Sequence, residues 1–180
     1  MRVYIAIDFE DDIKNYFSQI TSYIKPYCIE GSFTEKKNFH LTIRFIGEAD
    51  DMQISQLKEV MNKVISETSP FKLFVNDLGI FKRKKTNILW IGIEKSHVLS
   101  ELHKEISNQL KESKIPFYDK LFMPHITLGR RILLHEDSQD INNLIQFERI
   151  SIPVKSISLM ASREENGKLN GVPIYKVNLN

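Results

Sequence analysis

Two histidines in this chain carry the same local pattern, His40-Leu41-Thr42-Ile43 and His125-Ile126-Thr127-Leu128. Six threonines in 180 residues make Thr two places after a given histidine roughly a one-in-thirty coincidence, yet two of the five histidines have it. A lone His-x-Thr is worthless as a motif; its recurrence is not. Imidazole titrates near neutrality, so one ring can accept a proton while the other donates one. In-line displacement at phosphorus needs that arrangement, with a base beside the entering oxygen and an acid beside the departing one. The threonine hydroxyls can hydrogen-bond the non-bridging oxygens, whose charge must be held in the transition state. The expected chemistry is breakage or rearrangement of a phosphodiester by His40 and His125, assisted by Thr42 and Thr127, with no metal and no cofactor.

Side chains of a strand alternate between faces. His40 and Thr42 therefore share a face opposite Leu41, Ile43 and Phe45, and His125 and Thr127 share one opposite Ile126 and Leu128. The apolar sets must be buried, which turns the polar pairs toward a common surface. The flanking pattern is regular. Val3–Ile7 reads as a buried strand, and Ile13, Tyr16, Phe17, Ile20 and Ile24 as a helical stripe stopped by Pro26. After the first motif comes a helix through Ile54, Leu57, Met61, Val64 and Ile65, then a strand over 71–75. The second half repeats this: a strand over 88–93, a helix through Val98, Leu99, Leu102, Ile106 and Leu110, the second motif, and a weaker helix around Ile141, Leu144 and Ile145. Strands over 157–160 and 172–177 close the chain, joined by a turn at Asn166-Gly167 or Asn170-Gly171.

Val3 precedes His40 by 37 residues and Ile88 precedes His125 by 37, so an offset of 85 superposes both features. The pattern predicts a duplicated unit, with lobes of about 1–85 and 86–180 in one domain, because no Gly-, Pro- or Ser-rich linker parts them. Related by a pseudo-two-fold, the lobes would present the two histidines across a shared cleft.

Arg44 has the strand parity of His40 and Thr42, which predicts that it too reaches the cleft. Arg130 follows Gly129, where the backbone can bend and turn the guanidinium inward for bidentate phosphate contact. Lys82-Arg83-Lys84-Lys85 falls between strands as a basic lip for a nucleic-acid backbone, and Phe81 and Tyr118 are candidates for stacking on a base. His97 and His103 are expected to be exposed on the third helix and His135 to begin a polar loop, all three without a role.

Composition narrows the class. With 42% hydrophobic and 27% charged residues the chain can bury a core, and a formal net charge of +2 excludes wholesale polyanion binding. The single Cys28 excludes an internal disulfide and a cysteine-rich zinc site. No third ligand accompanies the histidines on their strand faces, as a zinc site requires. No apolar run approaches the length of a membrane helix, and the opening residues do not read as a signal peptide. A cytoplasmic monomer with no membrane and no obligatory protein partner is expected.

The two HxTx motifs resemble those of the 2H phosphoesterases. The wider pattern resembles the RNA 2′,3′-cyclic phosphodiesterases, also called the 2′–5′ RNA ligase (LigT-like) family. The matching segments are 3–8, 38–47, Leu89-Trp90 and 122–130, and the similarity runs over essentially the whole chain. The resemblance implies an α+β, bilobal fold with antiparallel sheets flanked by helices and facing across a central cleft. It implies metal-independent hydrolysis of RNA 2′,3′-cyclic phosphate ends, or of small cyclic nucleotides, to 2′-phosphomonoesters. His125 would then be the base that activates water and His40 the acid that protonates the departing 3′ oxygen, with Thr42, Thr127 and Arg130 on the phosphate. From the residues alone the two histidines are interchangeable. The same site could also join or cleave 2′–5′ linkages, and a non-catalytic RNA-end binder is the reading from another class.

Overall fold

The computed structural model describes residues 1–180. β1 (Arg2–Asp8) is followed by α1 (Asp11–Ile24), which buries Ile13, Phe17, Ile20 and Ile24 and ends before Pro26 in a 3-10 turn. β2 (Cys28–Phe33) leads to β3 (His40–Glu48), which carries the first motif. α2 (Asp51–Ile65) starts at a reciprocal capping box between Asp50 and Gln53, which satisfies amide groups the first helical turn leaves free. β4 (Phe71–Lys82) and β5 (Asn87–Ile93) form a hairpin. α3 (His97–Glu112), capped by Ser96, leads through an irregular segment to β6 (His125–Leu134) with the second motif. A four-residue α4 (Ile141–Leu144), β7 (Ser151–Val154), β8 (Ser156–Glu165) and β9 (Lys168–Asn178) complete the chain. The β8–β9 turn falls at Asn166-Gly167, both with positive φ, as a two-residue hairpin turn requires.

Every strand pairing is antiparallel, and the order is β7-β4-β5-β6-β3-β1-β8-β9, with β2 pairing the later part of β6. The fold is α+β, as expected. The two anticipated sheets are joined at their centre, where β3 meets β6 through the single pair Leu41↔Ile126. The motif repeat is also not the spatial repeat. β4, from the first half of the chain, stands beside β5, while β8 and β9, from the end, stand beside β1. Each half of the sheet thus draws strands from both halves of the sequence.

One apolar cluster of 41 buried residues contains Val3, Ile5 and Ile7 of β1 together with the helix stripes, Leu41, Ile43, Ile126 and Leu128. Tyr4, Ala6 and Met160 form a separate small cluster with Phe45 against it, which marks the other face of the sheet. Burying a Leu or Ile side chain stabilises by about 1.5–3 kcal/mol. Four such residues flank the motif histidines and threonines, so a one-residue slip of either strand would expose apolar groups worth several kcal/mol. That preference holds His40, Thr42, His125 and Thr127 on the face away from the helices.

Candidate active site

The pair Leu41↔Ile126 sets the relation between the motifs. In an antiparallel register its neighbours bring His40 alongside Thr127 and Thr42 alongside His125. The two histidines are then a diagonal pair, a geometry that sets Cα atoms about 7–8 Å apart. Each imidazole stands next to the other motif's threonine.

Both rings are anchored in the same way. His40 Nδ1 lies 2.8 Å from the carbonyl of Asn38, and His125 Nδ1 lies 2.7 Å from the carbonyl of Met123. A carbonyl only accepts, so Nδ1 carries the hydrogen in each ring, and Nε2 is left as the nitrogen that can take or give a proton. Burial pushes the pKa of both histidines below the ordinary value, against the anchoring carbonyls, which push it up. The positive charge of Arg130 adds to the lowering at both rings. The hydroxyls of Thr21, Thr34 and Thr68 each bond a backbone carbonyl; those of Thr42 and Thr127 make no hydrogen bond within the chain. Both threonines are half-buried, with the hydroxyl available to a ligand.

Arg44 is not in this site. In β3 the pairing runs Ala6↔Thr42 and then Ile5↔Arg44, which leaves Ile43 as the extra residue of a β-bulge. A bulge breaks the alternation, so Arg44 shares the face of Ile5 and points into the helix side. There it is 4% exposed and donates to the carbonyl of Tyr118 at 3.1 Å and to Ser107 Oγ, with the Asp119 carboxylate at 3.5 Å and the Phe117 ring 4.9 Å from its guanidinium carbon. The strand-parity expectation fails because a bulge is set by the partner strand, which the motif does not contain.

The second motif strand bulges at the equivalent place. Trp90 pairs with Thr127 and Leu89 with Gly129, so Leu128 is the extra residue. Arg130 thereby returns to the face of His125 and Thr127, as expected of it, although the cause is the bulge at Leu128-Gly129 rather than glycine alone. It keeps contact with solvent, and burial together with the neighbouring Arg83 lowers its pKa. The offset of 85 holds for the motif strands, whereas pairing superposes Ala6 on Trp90 and Asp8 on Gly92, an offset of 84.

That last equivalence makes the site asymmetric. Asp8 pairs directly with His40, and its carboxylate takes Lys14 Nζ at 2.7 Å in a largely buried ion pair. The charge of Asp8 favours the protonated form of His40, while Lys14 opposes it. Opposite His125 stands Gly92, with no charge to offer. Tyr4 lies 4.9 Å from the His40 ring, centroid to centroid, with its own pKa raised to about 12 by burial and by Asp8. Phe81 meets His125 edge-on at 5.0 Å, and Trp90 lies 6.1 Å away. Trp90 covers Gly79, where an added Cβ would fall within the indole. Asp8, Tyr4 and Trp90 were not among the expected site residues. A signal for Asp8 existed, since it is the first polar residue to end an apolar strand run, but its partner was not visible. Tyr118 is exposed against Phe45, with ring centroids 5.1 Å apart. His103 also departs from expectation: it is half-buried, stacked on Phe122 at 4.0 Å, and pushed to a pKa of about 4 by burial and by Arg44, against the pull of Asp119.

The model of the 2′-5′ RNA ligase superfamily matches residues 10–166. The chain belongs to this superfamily. A protein of Thermotoga maritima named RNA 2′,3′-cyclic phosphodiesterase is 31% identical over 179 residues, covering 98% of this chain and 92% of that one. A Methanocaldococcus jannaschii protein of the same name is 32% identical over 132 residues, 72% of this chain and 71% of its own. Among solved structures, a Thermus thermophilus protein superposes with a TM-score of 0.80 at 18% identity, covering 99% of this chain and 98% of that one. E. coli LigT, solved with 3′-AMP, superposes with a TM-score of 0.79 at 22% identity over 99% and 97%. These structural likenesses carry the fold, and the HxTx strands that suggested the superfamily lie at its centre.

Proposed function

We propose that this member of the superfamily hydrolyses RNA 2′,3′-cyclic phosphate ends to 2′-phosphomonoesters by paired-histidine acid–base catalysis that needs no metal. Water attacks phosphorus and loses a proton to one Nε2; the P–O3′ bond breaks, and the departing 3′ oxygen takes a proton from the other Nε2. Thr42, Thr127 and Arg130 hold the non-bridging oxygens as their charge builds. The reading is carried by one observation: two imidazoles, each fixed through Nδ1 to a carbonyl, flank the one place where the motif strands touch. The names of the Thermotoga and Methanocaldococcus relatives support the substrate. The charge of Asp8 beside His40, against Gly92 beside His125, favours His40 as the acid and His125 as the base.

The test is hydrolysis of a nucleoside 2′,3′-cyclic monophosphate in the presence of EDTA, with the product's phosphate position read by chromatography. The wild-type chain should turn over to the 2′-phosphate, and His40→Ala or His125→Ala should each lower kcat by about 10²-fold or more, the usual worth of one general acid or base. An unchanged rate in either variant, or complete loss with EDTA, would remove the mechanism. The superfamily description favours one second reading, in which the 5′ hydroxyl of another strand takes the place of water, attacks phosphorus and displaces the 3′ oxygen, so that a 2′–5′ linkage forms. A 2′–5′ dinucleotide offered as substrate separates the two.

A further inference from the structure

The positive charge of this protein is unevenly neutralised. Ten ion pairs tie up Lys14, Lys36, Lys37, Arg44, Lys63, Lys168 and others, but none involves Lys82, Arg83, Lys84, Lys85, Arg130 or Arg131. All six are exposed. In a chain whose formal net charge is only +2, that is a concentrated excess. The first four make the tip of the β4–β5 hairpin, closed by the Arg83 amide donating to the Thr86 carbonyl at 3.0 Å. Asn87 at the base of the tip pairs with Ile132 of β6 and donates to its carbonyl at 3.3 Å, which sets the hairpin beside Arg130 and Arg131. Arg83 and Arg130 are close enough for the charge of one to lower the pKa of the other. Phe81, the residue before the basic tip, is the one edge-on to His125. The patch is therefore continuous with the site, on the His125 side.

The His40 side differs. There Lys14, Lys36, Lys37 and Lys168 are each matched with a carboxylate, from Asp8, Asp11, Glu165 and Glu35, while Arg2 of β1, over the Phe45 ring, is a lone cation without an ion pair. A 2′,3′-cyclic phosphate closes the 3′ end of a strand, so every other nucleotide lies 5′ of it and must leave the cleft by one side. Six like charges left unpaired at one rim attract a polyanion there far more than a lone arginine at the other.

Resting on the reading above, we propose that the β4–β5 hairpin tip, with Arg131, is a binding surface for the phosphodiester backbone of the RNA segment 5′ to the reacting end. The surface recognises phosphates, not bases, so it extends affinity without fixing a sequence.

The test compares two substrates and two proteins. The substrates are a nucleoside 2′,3′-cyclic monophosphate and a ten-nucleotide single-stranded RNA ending in a 2′,3′-cyclic phosphate; the proteins are wild type and the double variant Lys84→Gln/Lys85→Gln. The oligonucleotide should have the higher kcat/KM at low salt and lose that advantage as salt rises, with a log–log slope of about −0.7 per phosphate contact. The variant should lose about tenfold on the oligonucleotide, in KM rather than kcat, and show a shallower salt slope. On the mononucleotide it should match wild type. An equal loss on both substrates, or no oligonucleotide advantage in wild type, would overturn the proposal. If wild type turns over neither substrate, the phosphodiesterase reading falls by itself. Fluorescence anisotropy of the same RNA then decides the surface: weaker binding by the variant upholds it, and unchanged binding overturns it.

Discussion

Arg44 and Arg130 lie on opposite faces of the sheet because both motif strands bulge one residue after the threonine, at Ile43 and at Leu128. Counted from each histidine, the counterpart of Arg130 is Phe45 and the counterpart of Arg44 is Gly129. One arginine faces the histidines; the other is sealed under the sheet, where it ties α3 to the segment that leads into β6.

Arg44→Ala should therefore act first on stability. It removes three hydrogen bonds from a guanidinium and leaves the Tyr118 carbonyl, Ser107 and the exposed Asp119 carboxylate without that partner, at a cost of about 2–3 kcal/mol. Urea unfolding reads this directly. Arg44→Lys, which reaches one acceptor instead of several, should fall between wild type and alanine. A variant as stable as wild type but inactive would mean that Arg44 serves the chemistry after all.

Arg130→Ala should leave the unfolding midpoint nearly unchanged, because the side chain is exposed. It should lower kcat/KM on the cyclic mononucleotide by about 10²-fold, in the range of a lost transition-state contact to an oxyanion. Arg130→Lys keeps the charge without the fork and should recover part of the loss. Equal kcat/KM for wild type and alanine would place the arginine outside the reaction.

The pH dependence follows from burial. Both motif histidines are pushed below their ordinary 6.5, so the state with one ring protonated and the other neutral is most populated on the acid side of that value. A plot of log kcat/KM against pH should be bell-shaped with its maximum below pH 6.5. Asp8→Asn removes the charge that favours His40 imidazolium and leaves Lys14 and Arg130, which oppose it. The high-pH limb should move to lower pH, and activity at pH 7 should drop while the low-pH limb stays in place. A shift of the low-pH limb instead would exchange the roles of the two histidines.

His103 predicts an acid-sensitive step in stability that is separate from catalysis. Its folded-state pKa of about 4 lies below the ordinary 6.5, so the fold holds the neutral ring. Between those values the unfolded chain binds a proton that the folded chain does not, and stability falls as pH drops from about 6.5 toward 4. Above 6.5 the contribution is constant. Urea midpoints measured from pH 7 to pH 4 should fall less steeply in His103→Gln than in wild type; parallel curves would exclude His103 as a source of the loss.

The residues by themselves determined which groups could do chemistry and on which side of their strands they stand. Hydrophobic alternation is a local property, and it was enough to bury Leu41, Ile43, Ile126 and Leu128 and to turn the histidines and threonines outward together. The 3.6-residue stripes likewise placed α1, α2 and α3. What alternation does not contain is the partner strand. The bulges at Ile43 and Leu128, the passage of β4 and β8 into the other half of the sheet, the meeting of Leu41 with Ile126, and the pairing of Asp8 with one histidine and Gly92 with the other all depend on contacts between residues far apart in the chain. Those contacts turned Arg44 away, brought Arg130 in, and made two interchangeable histidines different.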